Sequence, residues 1–97
     1  MCHGPLGFLK AKSVTGEPLV KGRRITAVTD KQVRDLRITS TPHHPETELR
    51  RLEADFRCVH RFRDPFANWW EVDGNIVTGQ NQNAAPMVAR EIMQLIS

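Results

Sequence analysis

The hydrophobic positions of this chain follow two different spacings, and each spacing predicts a different kind of element. Helical spacing occurs over residues 4–12, 31–36, 46–55 and, most regularly, 84–96. In the last segment apolar residues recur three and four positions apart, which is typical of a helix with one apolar face. That face is predicted to consist of Ala85, Val88, Ile92, Leu95 and Ile96.

Strand-like patterns lie between these helices. Residues 23–29 are rich in β-branched side chains, and residues 56–62 roughly alternate between two faces, as short strands do. An Asp-Gly pair at 73–74 separates two further β-type runs, and such a pair is a strong signal for a tight hairpin. The alternation of helices and strands predicts an α/β fold.

Composition is that of an ordinary small globular domain. The 97 residues suffice for one domain, and 39% of them are hydrophobic and 26% charged, which is a common balance. No apolar run reaches the roughly 20 residues that a membrane span needs, so no membrane partner is expected. Two cysteines, Cys2 and Cys58, are too few for a disulfide framework and predict a reducing, cytoplasmic setting.

Charge and histidine content raise two alternatives. The net charge of +3, with arginine in excess, is compatible with a basic nucleic-acid-binding module. Acidic residues are interleaved with the arginines, and no known nucleic-acid motif is present, so a solvated charged surface is the favoured interpretation. A zinc site could draw on His43, His44, Cys58 and His60. Their spacing matches no zinc-finger pattern, so no metal site is predicted.

The most reactive chemistry stands at the beginning of the chain. Cys2 and His3 precede Gly4 and Pro5, and the latter two residues suit the first turn of a helix. Unpaired N–H groups and the dipole at a helix start favour a thiolate over a thiol. From these residues alone two interpretations remain open, an activated nucleophile or an incidental thiol at a flexible terminus.

Three stretches, taken together, resemble the ThiJ/PfpI superfamily, above all its stress-chaperone and glyoxalase III-type branch, which is related to the class I glutamine amidotransferases. They are residues 2–6 (CHGPL), 18–26 (PLVKGRRIT) and 72–81 (VDGNIVTGQN). The resemblance implies a flavodoxin-like (Rossmann-like) sandwich with the cysteine on a sharp strand-to-helix turn. Family members are about twice this length. Residues 1–97 are therefore expected to form the C-terminal part of a single domain, and this part is expected to begin at the nucleophile elbow.

The resemblance also implies roles for individual residues. Cys2 corresponds to the nucleophile, the His3 side chain to the general acid/base and the His3 backbone N–H to an oxyanion donor. The position of the triad acid falls on Val33, which cannot orient an imidazole. Of the nearby carboxylates Asp30 and Asp35, Asp30 is the predicted substitute because it starts the helix. Its alternative role is the N-cap of that helix, for which Thr29 is the other candidate.

The function implied by the resemblance is that of a truncated glyoxalase III-type lyase or deglycase that acts on small 2-oxoaldehydes without a cofactor. Holding-chaperone activity is a second implied property. Because a second oxyanion donor and a glutamate would come from the missing half, the chain alone is expected to be weak or inactive. Its expected partners are the missing N-terminal half or further copies of itself. A non-catalytic, self-associating interaction protein is the alternative, since uncovered sheet edges and apolar helix faces favour association.

Overall fold

Short strands and three α-helices form the part of the chain that the computed structural model describes, namely residues 1–38, 41, 43–59 and 68–97. The elements follow in the order: a 3-10 helix (Gly4–Phe8), β1 (Arg24–Ile25), α1 (Asp30–Asp35), α2 (Pro45–Arg51), β2 (Asp55–Phe56), β3 (Trp70–Asp73), β4 (Ile76–Gly79), a second 3-10 helix (Gln82–Ala84) and α3 (Ala85–Ile96).

The four strands form two small sheets. β1 and β2 pair in parallel, whereas β3 and β4 form an antiparallel hairpin. The hairpin turn lies at Gly74-Asn75, one residue later than the sequence predicts, because Asp73 still pairs with Ile76. Gly74 has a φ of +61°, a conformation that glycine adopts readily at the first position of a two-residue turn.

The hydrophobic core joins the two sheets to α2. Leu49 of α2 and Ile25 of β1 are fully buried, and Phe8 of the first 3-10 helix packs against this cluster. The buried members of the cluster are Val20, Ile25, Ala27, Leu49, Phe56 and Ile76. Within the described ranges no helix is long and apolar enough to cross a membrane.

Several predicted elements are present but shorter than expected. Only two residues of the predicted strand 23–29 find a strand partner, although the following residues 26–29 are all buried. Of the described positions 56–59 of the strand predicted over 56–62, only Phe56 lies in a strand, β2 (Asp55–Phe56). Positions 60–62 lie outside the described residues. The first helix is a five-residue 3-10 helix instead of a helix that reaches residue 12. Strand length depends on a partner, which the local pattern does not encode.

The last helix is present over Ala85–Ile96, as the periodicity predicted, and none of its residues is fully buried. Its N-terminal part lies against β4, where Val88 Cγ2 is 3.1 Å from the position of a Cβ atom at Gly79. Toward its C-terminal end, Ile92, Leu95 and Ile96 are 43%, 49% and 72% exposed. The apolar face is therefore present, and its C-terminal half is left exposed by the described elements.

Candidate active site

The backbone at Cys2 has an unusual conformation and is held from two sides. Its φ is +55°, a region that non-glycine residues seldom occupy and that is often found at functional sites. The Cys2 N–H donates to the Gly79 carbonyl over 3.0 Å, and the Cys2 carbonyl accepts from the Val28 N–H, also at 3.0 Å. These two bonds fix the elbow between the end of β4 and the segment that follows β1.

The imidazole of His3 lies beside the sulfur. The distance from Cys2 Sγ to His3 Nδ1 is 3.5 Å, which is close enough for a proton to pass between a thiol and an imidazole nitrogen. On the other side of the ring, Nε2 is buried and has no hydrogen-bond partner among the described residues. Because the partner of one ring nitrogen sets the protonation of the other, nothing described here fixes the tautomer of His3.

The backbone N–H of His3 is available for an oxyanion. The 3-10 helix begins at the next residue, and the Gly4 N–H already donates to the Met1 carbonyl over 2.8 Å. No described group accepts a hydrogen bond from the His3 N–H. A backbone N–H adjacent to a nucleophile is a common oxyanion donor, and here it is placed directly after the sulfur-bearing residue.

Asp30 is the first residue of α1, and its described contacts are with α2. Asp30 Oδ2 accepts from the Thr47 hydroxyl over 2.7 Å, and Oδ1 lies 3.9 Å from Nδ1 of His44. The backbone N–H of Asp30 donates to Oε1 of Glu46 over 2.9 Å. These contacts join α1 to α2, and none of them involves His3. The assignment of Asp30 as the triad acid remains a prediction.

The alternative role for Asp30 is corrected by the structure. Thr29, not Asp30, is the N-cap of α1, since the Thr29 side chain accepts from the Gln32 N–H and the Gln32 side chain accepts from the Thr29 N–H. The neighbouring positions are also structural: Val33 is 2% exposed, and Asp35 pairs with Lys31 on the surface.

Polar residues after β4 have a role that the sequence did not predict. Gln80 is fully buried, and its amide bonds both backbone groups of Val59, accepting from the N–H and donating to the carbonyl at 2.9 Å each. Thr78 Oγ1 accepts from the Thr26 N–H over 2.9 Å. From the sequence, residues 79–81 could either line a pocket near the elbow or connect the strand to the next helix, and only the position of Gln80 directly after a strand hints that its side chain faces inward.

The absence of a side chain at Gly79 allows the end of β4 to lie close to Met1 and Cys2. A Cβ atom at Gly79 would lie 2.7 Å from the Ala84 Cβ, and 3.1 Å from both the Met1 Cβ and the Val88 Cγ2. Real Cβ atoms essentially never approach as closely as 2.7 Å, so a side chain at this position requires the second 3-10 helix to shift at Ala84, and Met1 and Val88 would also have to move slightly. The strand that accepts the Cys2 N–H therefore needs glycine at its end.

The structure also bears on the two alternatives raised by charge and histidine. Five of the arginines form ion pairs with carboxylates, namely Arg23, Arg24, Arg50, Arg51 and Arg57, which favours the solvated-surface interpretation. Of the residues considered for zinc, His60 lies outside the described residues. Within the described residues, no group of three or more His, Cys, Asp or Glu side chains is placed so that it could hold a metal ion. Burial raises the pKa of the Cys58 thiol, which keeps it neutral.

Comparison with known proteins shows what the chain is similar to. It is 32% identical over 96 residues to Glyoxalase 3 of Candida albicans, covering 96% of this chain and 41% of that protein. It is also 32% identical over 101 residues to a probable glutathione-independent glyoxalase of Schizosaccharomyces pombe, covering 100% of this chain and 45% of the relative. No family model matches the chain.

Solved structures agree with this similarity. The crystal structure of glyoxalase III from Candida albicans superposes with a TM-score of 0.74 at 30% identity, over 97% of this chain and 41% of that one. The Rapid Encystment Protein 24 kDa of Francisella tularensis reaches a TM-score of 0.87 at 21% identity, over 99% and 41% of the two chains. This second likeness shows the fold alone.

The chain thus has a partial α/β fold of the ThiJ/PfpI type, as the sequence predicted. In sequence it is similar to one protein named as a glyoxalase and to another named as a probable glutathione-independent glyoxalase. It spans less than half the length of the curated relatives it matches.

Proposed function

We propose that this chain carries the nucleophile, the general acid/base and one oxyanion donor of a glyoxalase III-type site for small 2-oxoaldehydes, and that it is catalytically incomplete by itself. Residues 1–97 would form the C-terminal part of such a domain. The observation that carries the proposal is the elbow at Cys2, with a φ of +55° and Sγ at 3.5 Å from His3 Nδ1. The similarity to proteins named as glyoxalases supports it.

The proposed first step is the reversible addition of the thiol to an aldehyde. His3 Nδ1 takes the proton of Cys2 Sγ as the sulfur forms a bond to the carbonyl carbon. The π electron pair of the carbonyl moves to its oxygen, where the His3 backbone N–H stabilises the negative charge. Return of the proton from His3 to that oxygen gives a neutral hemithioacetal, with no oxidation or reduction.

The later steps need groups beyond those described. His3 Nε2 has no described partner, so no carboxylate of the described residues holds the imidazole in one tautomer for repeated proton transfers. More than half of each relative lies outside the match. We therefore expect addition at Cys2 without turnover of methylglyoxal to lactate.

The test separates thiol addition from turnover. The chain is mixed with methylglyoxal, and the loss of free thiol and the formation of lactate are both followed. Cys58→Ser should lose thiol as the unmodified chain does, because Cys58 remains protonated, whereas Cys2→Ser should lose several-fold less. Equal thiol loss with and without Cys2 would overturn the nucleophile assignment. Lactate above the Cys2→Ser background would overturn the proposed incompleteness.

A further inference from the structure

The conformation of Cys2 has to be imposed by its surroundings. A φ of +55° is unfavourable for a residue with a side chain, and such conformations persist only where several contacts fix them. Two backbone hydrogen bonds of 3.0 Å do so here, one to the Gly79 carbonyl and one from the Val28 N–H. The spacing of these two anchors therefore determines whether Cys2 keeps this conformation and holds Sγ close to His3 Nδ1.

The two anchors differ in how they are held. Val28 is buried and lies directly before Thr29, whose side chain caps α1. Gly79 has no side chain, and its backbone groups do not bond to β3. This follows from the register, because the Gln80 N–H donates to the Trp69 carbonyl and hydrogen-bonded pairs alternate along antiparallel strands. The position of the Gly79 carbonyl therefore depends on its two neighbours in the chain.

Both neighbours of Gly79 form hydrogen bonds through their side chains to segments outside the hairpin. On one side, Thr78 Oγ1 accepts from the Thr26 N–H over 2.9 Å. On the other side, Gln80 is fully buried and makes two such bonds. Its Oε1 accepts from the Val59 N–H and its Nε2 donates to the Val59 carbonyl, each over 2.9 Å. Gln80 is thus the more firmly attached of the two neighbours.

Val59 belongs to the part of the fold that also leads to the other anchor. It follows β2, which pairs in parallel with β1. Val28 follows β1 along the chain. The Gln80 amide therefore attaches the residue next to Gly79 to the same small sheet from which Val28 extends. Through this connection the two anchors of the elbow are held at a fixed spacing.

We propose that Gln80 is a positioning residue for the nucleophile, because its amide fixes the Gly79 carbonyl that holds the Cys2 elbow. The inference rests on the proposed function for the chemical roles of Cys2 and His3. The described hydrogen bonds of Gln80 reach neither of those side chains, so it acts through Gly79. Without the amide, we expect Cys2 to relax toward a negative φ and Sγ to move away from His3.

The experiment measures the rate at which methylglyoxal adds to Cys2 in the full chain. Cys58→Ser provides the background, so that Cys2 is the only thiol. Gln80→Met keeps the length of the side chain but removes the amide. It should slow the addition at least about tenfold, because small misplacements of a reacting group are costly. Gln82→Met is the matched control, since Gln82 is exposed, and its rate should stay within about twofold.

A second control separates positioning from a general loss of stability. Asp73→Ala removes the carboxylate that accepts from the Arg24 N–H, at the opposite end of the hairpin from Gly79. This variant should lose stability without slowing the addition to Cys2. Urea denaturation gives the stability of each variant, and rates are compared where each is folded. Exchange of the Cys2 amide proton with solvent, followed by NMR, should be faster in Gln80→Met alone.

Where Gln80→Met fails to fold, Val59→Pro tests the same connection from its other end. It removes the N–H that donates to Gln80 Oε1 and leaves the glutamine in place. It should slow the addition in the same direction. Addition at the parent rate in the folded variant, or equal slowing in Gln82→Met or Asp73→Ala, would overturn the positioning role.

The proposed function is scored by a separate comparison. If the folded parent adds methylglyoxal no faster than the same chain unfolded in urea, Cys2 is not an activated nucleophile, and the proposed function fails together with the positioning role. If the folded parent is faster and Gln80→Met keeps that advantage, only the positioning role fails.

Discussion

The shortest and the longest of the described α-helices, α1 and α3, are anchored in opposite ways. α1 has six residues, a complete capping box and two buried side chains, Gln32 and Val33. α3 has twelve residues, no side-chain cap at its N-terminus and no buried residue. An isolated helix of twelve residues is marginal in water, and most helix stability in proteins comes from packing. Coverage by neighbouring elements, not length or amphipathicity, therefore decides how firmly a helix is held.

The largest expected loss of stability comes from a Leu→Ala substitution in the core, which is compared with the same substitution on the exposed face of α3. Leu49→Ala opens a cavity in the fully buried core and should lower the free energy of unfolding by about 2–5 kcal/mol. Leu95→Ala removes a side chain that is 49% exposed and should cost less than about 1 kcal/mol. Urea denaturation of both variants measures the difference. Similar losses would mean that the exposed face of α3 is covered in solution by another molecule.

The next effect concerns the point where α3 meets the hairpin. Gly79→Ala forces its new methyl group against Ala84 and Val88 and should destabilise the chain by about 1–3 kcal/mol. Gly7→Ala is the matched control, since a Cβ there has no atom within 4 Å. If the two variants unfold at the same urea concentration, then α3 moves freely and is not fixed at its N-terminal end.

A smaller effect should come from the cap of α1. Thr29→Ala removes the oxygen that accepts from the Gln32 N–H and should cost about 1 kcal/mol. Thr29→Ser keeps that oxygen and should recover most of the loss. Urea midpoints of the three proteins test this order, and a Ser variant as unstable as the Ala variant would assign the effect to the lost methyl group.

The smallest expected effect is a pH dependence in the hairpin that supports α3. The Arg24 backbone N–H, with help from the charges of Arg23 and Arg24, lowers the pKa of Asp73 below its ordinary value of 3.8. A lowered folded-state pKa stabilises the fold fully above pH 3.8, and this contribution is lost as the pH falls through the folded-state pKa. Unfolding midpoints measured between about pH 6 and pH 3 should fall less steeply for Asp73→Asn.

How much could be foreseen from the sequence differs between these regions. Local chemistry was enough for the start of α1 near Thr29, for the hairpin to within one residue of Gly74, and for the existence of α3. The resemblance implied an elbow at Cys2, and the backbone there has a φ of +55°. What local patterns cannot contain is the partner of each surface. The exposure of Leu95 and the turning of Asp30 toward α2 depend on which elements lie opposite them.

The same limit applies to the candidate site. Cys2 and His3 are neighbours in the chain, so their proximity follows directly from the sequence. The Gly79 carbonyl and the Val28 N–H that hold Cys2 come from segments far along the chain, and no spacing rule brings them together. A polar residue inside a loop-like run, such as Gln80, becomes recognisable as a buried support only when its partner at Val59 is known.

The hydrogen bonds of the Gln80 amide make the fold sensitive to deamidation at this residue. The amide matches the donor and acceptor of a peptide group, and its two bonds to Val59 tie the segment after β2 to the residue that follows Gly79. Deamidation would exchange the nitrogen for a second oxygen and set a carboxylate against the Val59 carbonyl. Deamidation would thus replace two hydrogen bonds between these segments with a repulsion, one residue away from the carbonyl that accepts from the Cys2 N–H.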